Sequence, residues 1–175
     1  MEMLGVKDLV IRPAVSEECA PEGLAPAALV QALAAHKARE VEARSDPYDV
    51  IVAADTVVWH GGRVYGKPHD EQEAAGMLRA LSGDTHEVFT GVCVLRAGKA
   101  LSRAVRSEVR FRKLSEREIA AYIKTGEPMD KAGAYGAQGK AALFVESITG
   151  DFFNVMGLPL CTLGRMLHEQ GVELL

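Results

Sequence analysis

A glycine-rich segment at residues 126–139 carries the residue types best suited to chemistry. Its sequence, GEPMDKAGAYGAQG, has four glycines in fourteen positions. Glycine lets a backbone approach a ligand closely, but a cluster of glycines weakens a helix or a strand. Asp130, Lys131 and Gln138 add an acceptor, a cation and a carboxamide that both donates and accepts. The segment is therefore predicted to be a loop that binds a small polar ligand with phosphates; a plain surface turn is the alternative.

Asp55 interrupts an apolar run over residues 50–58, which is typical of a strand buried on both faces of a sheet. An unpaired buried carboxylate is costly, so it requires a metal, a cation or a raised pKa. In open α/β sheets, ligands gather at the carboxyl ends of strands. The pattern predicts that Asp55 closes such a strand and acts as a metal ligand or a general base. An Asx-turn is the alternative.

Two lysines and a pair of glutamates are further candidates. The apolar stripe of a helix that begins at Pro26 places Lys37 on or beside the buried face. Two interpretations of Lys37 stay open: an ammonium that reaches water, or a cation directed into a cleft. Lys67 follows a hairpin, and Glu17 and Glu18 lie in a polar turn. Acids and lysines without a Ser-His-Asp pattern favour Mg²⁺-assisted phosphoryl chemistry, because Mg²⁺ binds carboxylates and phosphates and lysines attract phosphate oxygens.

The rest of the chain predicts the elements that must position these residues. Alternation of apolar and polar residues predicts strands, and apolar spacing of three or four with capping residues predicts helices. The predicted strands lie at residues 9–11, 49–58, 64–65, 88–95, 104–111, 143–145 and 152–156. The predicted helices begin near Pro26, Asp70, Ser115 and Pro159. This mixture indicates an α/β fold whose second half is largely antiparallel.

Length and composition indicate one globular domain over residues 1–175. Apolar residues make up 48% of the chain, charged residues 25%, and the net charge is −4. There is no basic block, which argues against binding a nucleic-acid polymer, and no run of membrane-spanning length. Cys19, Cys93 and Cys161 lack metal-ligand spacing and are interpreted as free thiols. We therefore expect a cytoplasmic protein that does not associate with a membrane.

Five motifs occur in an order that resembles the Maf family. They are ADTVV at 54–58, GKP at 66–68, LSGDTH at 81–86, GEPMDKAGAYG at 126–136 and GLPL at 157–160. The resemblance covers nearly the whole chain. It implies a nucleoside triphosphate pyrophosphatase, which releases pyrophosphate and a monophosphate with a divalent metal, Mg²⁺ or Mn²⁺. It also implies a homodimer and a mixed, partly antiparallel twisted sheet flanked by helices, with two lobes around a central cleft.

The same resemblance implies catalytic roles for individual residues. Asp55 corresponds to the family's proton-accepting aspartate, and we expect it to bind the metal as well. Lys37 and Lys67 correspond to the lysines around the triphosphate. An acidic metal ligand corresponds to Glu18 or Glu17, because the alignment there shifts by one residue. These residues come from distant parts of the chain, so the resemblance implies that the fold brings them together.

Two positions imply which nucleotide is bound. Thr56 and Gln138 correspond to specificity positions and resemble the branch that acts on dTTP and UTP, with modified pyrimidine nucleotides as further substrates. A hydroxyl and a carboxamide can each hydrogen-bond the edge of a pyrimidine. Asp130 and Lys131 are expected to bind the substrate as well.

The start of the chain departs from the family pattern. The family begins with a strand that leads into Ser-x-Ser-Pro-Arg-Arg, a phosphate-binding turn that also supplies a specificity arginine. This sequence begins MEMLG and does not contain that motif. We therefore expect the family's first strand to be missing here, with the true start upstream. The alternative function is an N-terminally truncated, catalytically impaired nucleotide-binding regulator linked to cell division.

Overall fold

The computed structural model describes residues 5–6, 8–16, 23–47 and 49–174. The strands are β1 (Val50–His60), β2 (Arg63–Tyr65), β3 (Thr85–Arg96), β4 (Lys99–Phe111) and β5 (Val145–Thr149). The helices are α1 (Pro26–Glu42), α2 (Glu71–Leu81), α3 (Glu116–Ile123), α4 (Phe152–Val155) and α5 (Leu160–Glu169). The strands form one sheet in the order β2-β1-β3-β4-β5, and each pairing is antiparallel. The predicted α/β class is confirmed, and the described part of the sheet is antiparallel throughout.

Helices α1 and α5 cover opposite faces of the sheet. On one face, Ala34 and Ala38 of α1 pack against Cys93 of β3. On the other face, Leu163 and Met166 of α5 pack against the neighbouring valines of β3. Successive residues of a strand point to opposite faces, so β3 is enclosed on both sides. Strand β3 is thus the centre of the fold, and β1 lies beside it.

A second group of buried side chains joins α2 and α3 to the glycine-rich segment. This cluster contains Leu78, Ile119, Phe111 and Tyr135. Helix α3 begins with the predicted capping box, in which Ser115 and the third residue of the helix exchange hydrogen bonds. The glycine-rich segment forms short 3₁₀ turns and no strand. It is therefore held against the sheet by packing, as a loop, which agrees with the sequence analysis.

Three predicted strands are wrong or displaced. Residues 9–11 lie outside any strand, with exposed side chains. The predicted strand at 143–145 begins only at Val145. Residues 152–155 form the helix α4, because the Asp151 carboxylate accepts hydrogen bonds from the backbone N–H groups of Phe153 and Asn154. None of the helices in the described ranges is long and apolar enough to cross a membrane.

Candidate active site

A cavity of about 520 Å³ brings most of the predicted site residues together. It lies where β1, α1, the turn after β2 and the glycine-rich segment meet. The predicted residues in its lining are Lys37, Asp55, Thr56, Lys67, Asp130, Lys131 and Gln138. The other two, Glu17 and Glu18, lie outside the described residues.

The Lys37 ammonium donates a hydrogen bond to Oδ1 of Asp55 at 2.5 Å. Their side chains are only 23% and 10% exposed, so the interaction is partly shielded from water. Of the two interpretations of Lys37, the geometry supports the cation directed into a cleft. The buried carboxylate thus has the cation that its burial requires.

Asp55 does not end a strand, as predicted, but lies in the middle of β1. The strand continues because its apolar run resumes at Val57 and pairs with β3 as far as Trp59. The sheet is also antiparallel here, so the rule about carboxyl ends of parallel strands does not apply. Asp55 reaches the cavity from within the strand.

Close packing of α1 explains why Lys37 reaches Asp55. Gly91 lies directly opposite Asp55 in the pairing of β3 with β1, so both positions face the same side of the sheet. A Cβ atom at Gly91 would lie 2.1 Å from the carbonyl oxygen of Val30 in α1. Only glycine allows the helix to lie this close, and Lys37 follows about two turns later on the same helix.

Thr56 faces the other side of the sheet. Its Oγ1 lies 2.9 Å from Oγ1 of Thr90, its partner across the strand pair. A Cβ atom at Gly157, between α4 and α5, would lie 3.3 Å from the same Thr56 oxygen. The hydroxyl therefore lies between β3 and the chain that follows α4, while the residue still lines the cavity.

The Glu127 carboxylate holds the glycine-rich segment together. Its Oε1 accepts a hydrogen bond from the Tyr122 hydroxyl at 2.9 Å, and its Oε2 accepts one from the backbone N–H of Lys140 at 3.1 Å. The Tyr122 oxygen in turn accepts from the backbone N–H of Gly136 at 3.2 Å. A Cβ atom at Gly139 would lie 2.1 Å from Glu127 Oε1. These contacts flank Gln138, so they position the carboxamide that lines the cavity.

A second contact ties this segment to the turn that carries Lys67. The backbone N–H of Gly133 donates to the carbonyl oxygen of Gly66 at 2.9 Å. A Cβ atom at Gly133 would lie 2.8 Å from a methyl carbon of Val58 in β1. Gly133 also has a φ of +66°, which favours glycine. The segment is therefore docked on both β1 and the Lys67 turn.

The charges in the described lining favour an anion. Three lysines, Lys37, Lys67 and Lys131, face two aspartates, Asp55 and Asp130. The Lys131 ammonium donates to Asp130 Oδ1 at 2.6 Å, and this hydrogen bond lowers the pKa of Asp130 below its ordinary value. The lining thus has an excess of one positive charge before any ligand enters, which suits a phosphate group.

A divalent metal would need oxygen ligands from this lining. Within the described ranges, no three His, Cys, Asp or Glu side chains are grouped so that they could hold a metal ion. Mg²⁺ often takes only one or two carboxylates, together with water and substrate phosphates. The Asp55 carboxylate lies in the cavity and fits that requirement as a single protein ligand.

A buried histidine next to the site was not among the predicted residues. His86 is 1% exposed. Its Nε2 lies 2.8 Å from the hydroxyl of Tyr135, which lines the cavity, and burial lowers the pKa of His86 to about 4. The alternation along β3 could have revealed it, because His86 shares the inward face with Val88 and Thr90.

Sequence comparison identifies the family. A family model described as "Maf-like protein" matches residues 1–170, so the chain belongs to the Maf family. The "dTTP/UTP pyrophosphatase" of Thermococcus gammatolerans is 51% identical over 159 residues, which cover 91% of this chain and 79% of the relative. The protein of the same name from Dictyoglomus thermophilum is 46% identical over 177 residues, covering 100% of this chain and 91% of the relative. The resemblance carried by the five motifs is confirmed.

Proposed function

We propose that this protein is a nucleoside triphosphate pyrophosphatase that hydrolyses dTTP and UTP to the monophosphate and pyrophosphate. The observation that carries the proposal is the meeting of Lys37, Asp55, Lys67 and the glycine-rich segment in one cavity. Its volume of about 520 Å³ is in the range of small-molecule sites. Relatives 46–51% identical over most of the chain carry the same activity in their names.

In the proposed reaction, the Asp55 carboxylate orients a water molecule and accepts its proton as the water attacks the α-phosphorus. The bond from the α-phosphorus to the bridging oxygen breaks, and pyrophosphate leaves. Lys37 holds the carboxylate in place through its 2.5 Å hydrogen bond. Lys37, Lys67 and Lys131 offset the negative charge that grows on the leaving pyrophosphate.

We expect a divalent cation, Mg²⁺ or Mn²⁺, to bind Asp55 and the phosphate oxygens of the substrate. When bound, it would offset phosphate charge and favour attack on the phosphorus. Glu17 or Glu18 stays the predicted second carboxylate. The lysines of the lining can bind the other phosphate oxygens of the same triphosphate.

The base and the rest of the nucleotide would be held by the remaining lining residues. Thr56 and Gln138 are proposed to bind the pyrimidine edge, because a hydroxyl and a carboxamide are the neutral hydrogen-bonding groups of the predicted set. Asp130 and Lys131 are proposed to bind the substrate as a pair, with Lys131 available for a phosphate.

We further expect a single domain over residues 1–175, a homodimer and a cytoplasmic location, where the free thiols of the chain would stay reduced.

The test is release of pyrophosphate from dTTP, UTP, CTP and GTP, each with Mg²⁺ and with Mn²⁺. We expect dTTP and UTP to give the highest kcat/KM. Release from none of the four with either metal contradicts the proposal. Binding of UTP without turnover would support the nucleotide-binding regulator in its place, so a direct binding measurement accompanies the assay.

A further inference from the structure

A chain of hydroxyl groups connects the cavity to helix α4. It begins at Thr56, which lines the cavity, and continues to Thr90 across 2.9 Å. The Thr90 hydroxyl donates to the backbone carbonyl oxygen of Asn154 at 2.8 Å. Thr90 and Asn154 are both fully buried. The chain therefore has one end at the ligand and the other fixed inside the protein.

The direction of this chain follows from counting protons. A hydroxyl has a single proton, and a carbonyl oxygen can only accept. Thr90 must therefore direct its proton to Asn154, and only Thr56 can supply the proton between the two threonine oxygens. We infer that Thr56 presents a hydrogen-bond acceptor, and no donor, to the bound ligand, and that Thr90 is the positioning residue that enforces this.

The buried end is held firmly enough to set the direction. The Asn154 side-chain amide donates to the carbonyl oxygen of Val88 and to Oγ of Ser107, both at 3.0 Å. Its backbone carbonyl also accepts from the N–H of Gly157 at 2.9 Å. Reversal of the chain would bring the Thr90 and Asn154 oxygens together with no proton between them. In a buried network, such an unsatisfied contact is costly.

This step rests on the proposed function, which makes the ligand a pyrimidine nucleotide. A fixed acceptor at Thr56 then distinguishes one pyrimidine base from another. Uracil and thymine carry a proton on ring nitrogen N3, whereas N3 of cytosine is a bare acceptor. An acceptor at Thr56 binds the N3–H of uracil or thymine and repels the N3 lone pair of cytosine. The same argument disfavours a uracil whose N3 carries a methyl group. Thr90, which touches no ligand, would thus set the base preference through Thr56.

The first experiment compares Thr90→Val, which keeps the shape but removes the hydroxyl, with Thr90→Ser, which keeps the hydroxyl. We expect the kcat/KM ratio of UTP over CTP to fall about tenfold in Thr90→Val, because the Thr56 hydroxyl is then free to donate a hydrogen bond to N3 of cytosine. Thr90→Ser should stay close to wild type. Ser102→Ala is the matched control, because this exposed hydroxyl on β4 bonds the backbone of Gln31, away from the cavity lining. A Thr90→Val variant that keeps the wild-type ratio overturns the inference.

The second experiment measures binding of UMP and CMP by calorimetry and needs no turnover, because N3 of UMP carries a proton and N3 of CMP is a bare acceptor. Wild type should bind UMP about tenfold more tightly, and Thr90→Val should lose that preference. If Thr90→Val fails to fold, Thr56→Val replaces it, since Thr56 lines the cavity and is only partly buried. A preference for UMP in a protein without pyrophosphatase activity would refute the proposed function but support the inference. Equal affinity of wild type for the two ligands overturns the inference whatever the activity.

Discussion

Asp55 and Thr56 are neighbours in β1, and their side chains lie against opposite faces of the sheet. Asp55 bonds Lys37 of α1, whereas Thr56 bonds Thr90 on the side of α4. Both residues line the cavity. Asp55, which is proposed for catalysis, and Thr56, which is proposed for base selection, are therefore separated by the backbone of one strand.

Replacement of Asp55 by asparagine tests its proposed catalytic role. Asparagine keeps the size of the side chain but cannot accept a proton at neutral pH, so we expect kcat to fall by about 10²–10⁴ while the circular dichroism spectrum is unchanged. Asp49→Asn is the control, because this exposed carboxylate accepts a backbone hydrogen bond outside the cavity lining. Retention of wild-type kcat by Asp55→Asn would remove the role assigned to it.

Gly91→Ala tests the close packing that brings α1 to β1. The added Cβ atom would meet the carbonyl oxygen of Val30, a backbone atom that cannot rotate away. We expect a loss of about 2–3 kcal/mol in the free energy of unfolding, measured with urea, and lower activity because α1 carries Lys37.

Gly76→Ala is the matched control for the glycine substitutions. Gly76 lies within α2, and no atom would lie within 4 Å of a Cβ atom there. We expect this variant to be more stable than wild type by about 0.5–1 kcal/mol, because alanine favours a helix interior. Equal stability of the Gly91→Ala and Gly76→Ala variants would show that α1 is packed less tightly than described.

Gly139→Ala tests whether Glu127 positions the glycine-rich segment. A Cβ atom at 139 would overlap the Glu127 carboxylate, so either the carboxylate or the segment must move. We expect kcat/KM for UTP to fall about ten- to a hundredfold, because Gln138 and its neighbours shift in the cavity. The melting temperature should change little, since the site lies in an exposed part of the loop. An unchanged kcat/KM would mean that the segment tolerates the displacement.

The buried His86 predicts a loss of stability in mild acid. Its pKa is about 4 in the folded protein, below its ordinary value of 6.5, because burial disfavours the charged ring. Above pH 6.5 the ring is neutral in both states; below it, the unfolded chain binds a proton that the folded protein does not. Stability is therefore lost as the pH falls from 6.5 towards 4.

The size of this effect can be isolated by comparison with His86→Gln, which does not titrate. Between about pH 7.5 and about pH 5, wild type should lose about 2 kcal/mol more unfolding free energy than the variant. Urea titrations at the two pH values measure the difference. An equal loss in both proteins would indicate that His86 binds a proton as readily in the folded protein as in the unfolded chain.

Much of the fold could be predicted because its elements bury one face or both. The alternation in β3 and β4, the Pro26 start of α1 and the Ser115 capping box all have local causes, and all are confirmed. Helix α4 could not be predicted from the pattern of its apolar residues, since four residues are too few to show a helical period. The cap at Asp151 decides its conformation.

The site was predicted less completely than the fold. A lone aspartate in an apolar run indicates a special position, but nothing in the run marks where the strand ends, so Asp55 was placed at a terminus. Thr90 is an ordinary strand residue by type, and its relation to Thr56 depends on a strand register that one sequence does not reveal. The proposed second carboxylate, Glu17 or Glu18, stays a prediction.

The short helix α4 has a consequence for how such proteins diversify. It supplies the buried end of the hydroxyl chain through Asn154, on the side of the sheet away from Lys37. After gene duplication, substitutions on the α4 side of the sheet would change which nucleobase is accepted. The residues proposed for phosphate cleavage, on the Lys37 side, would stay unchanged.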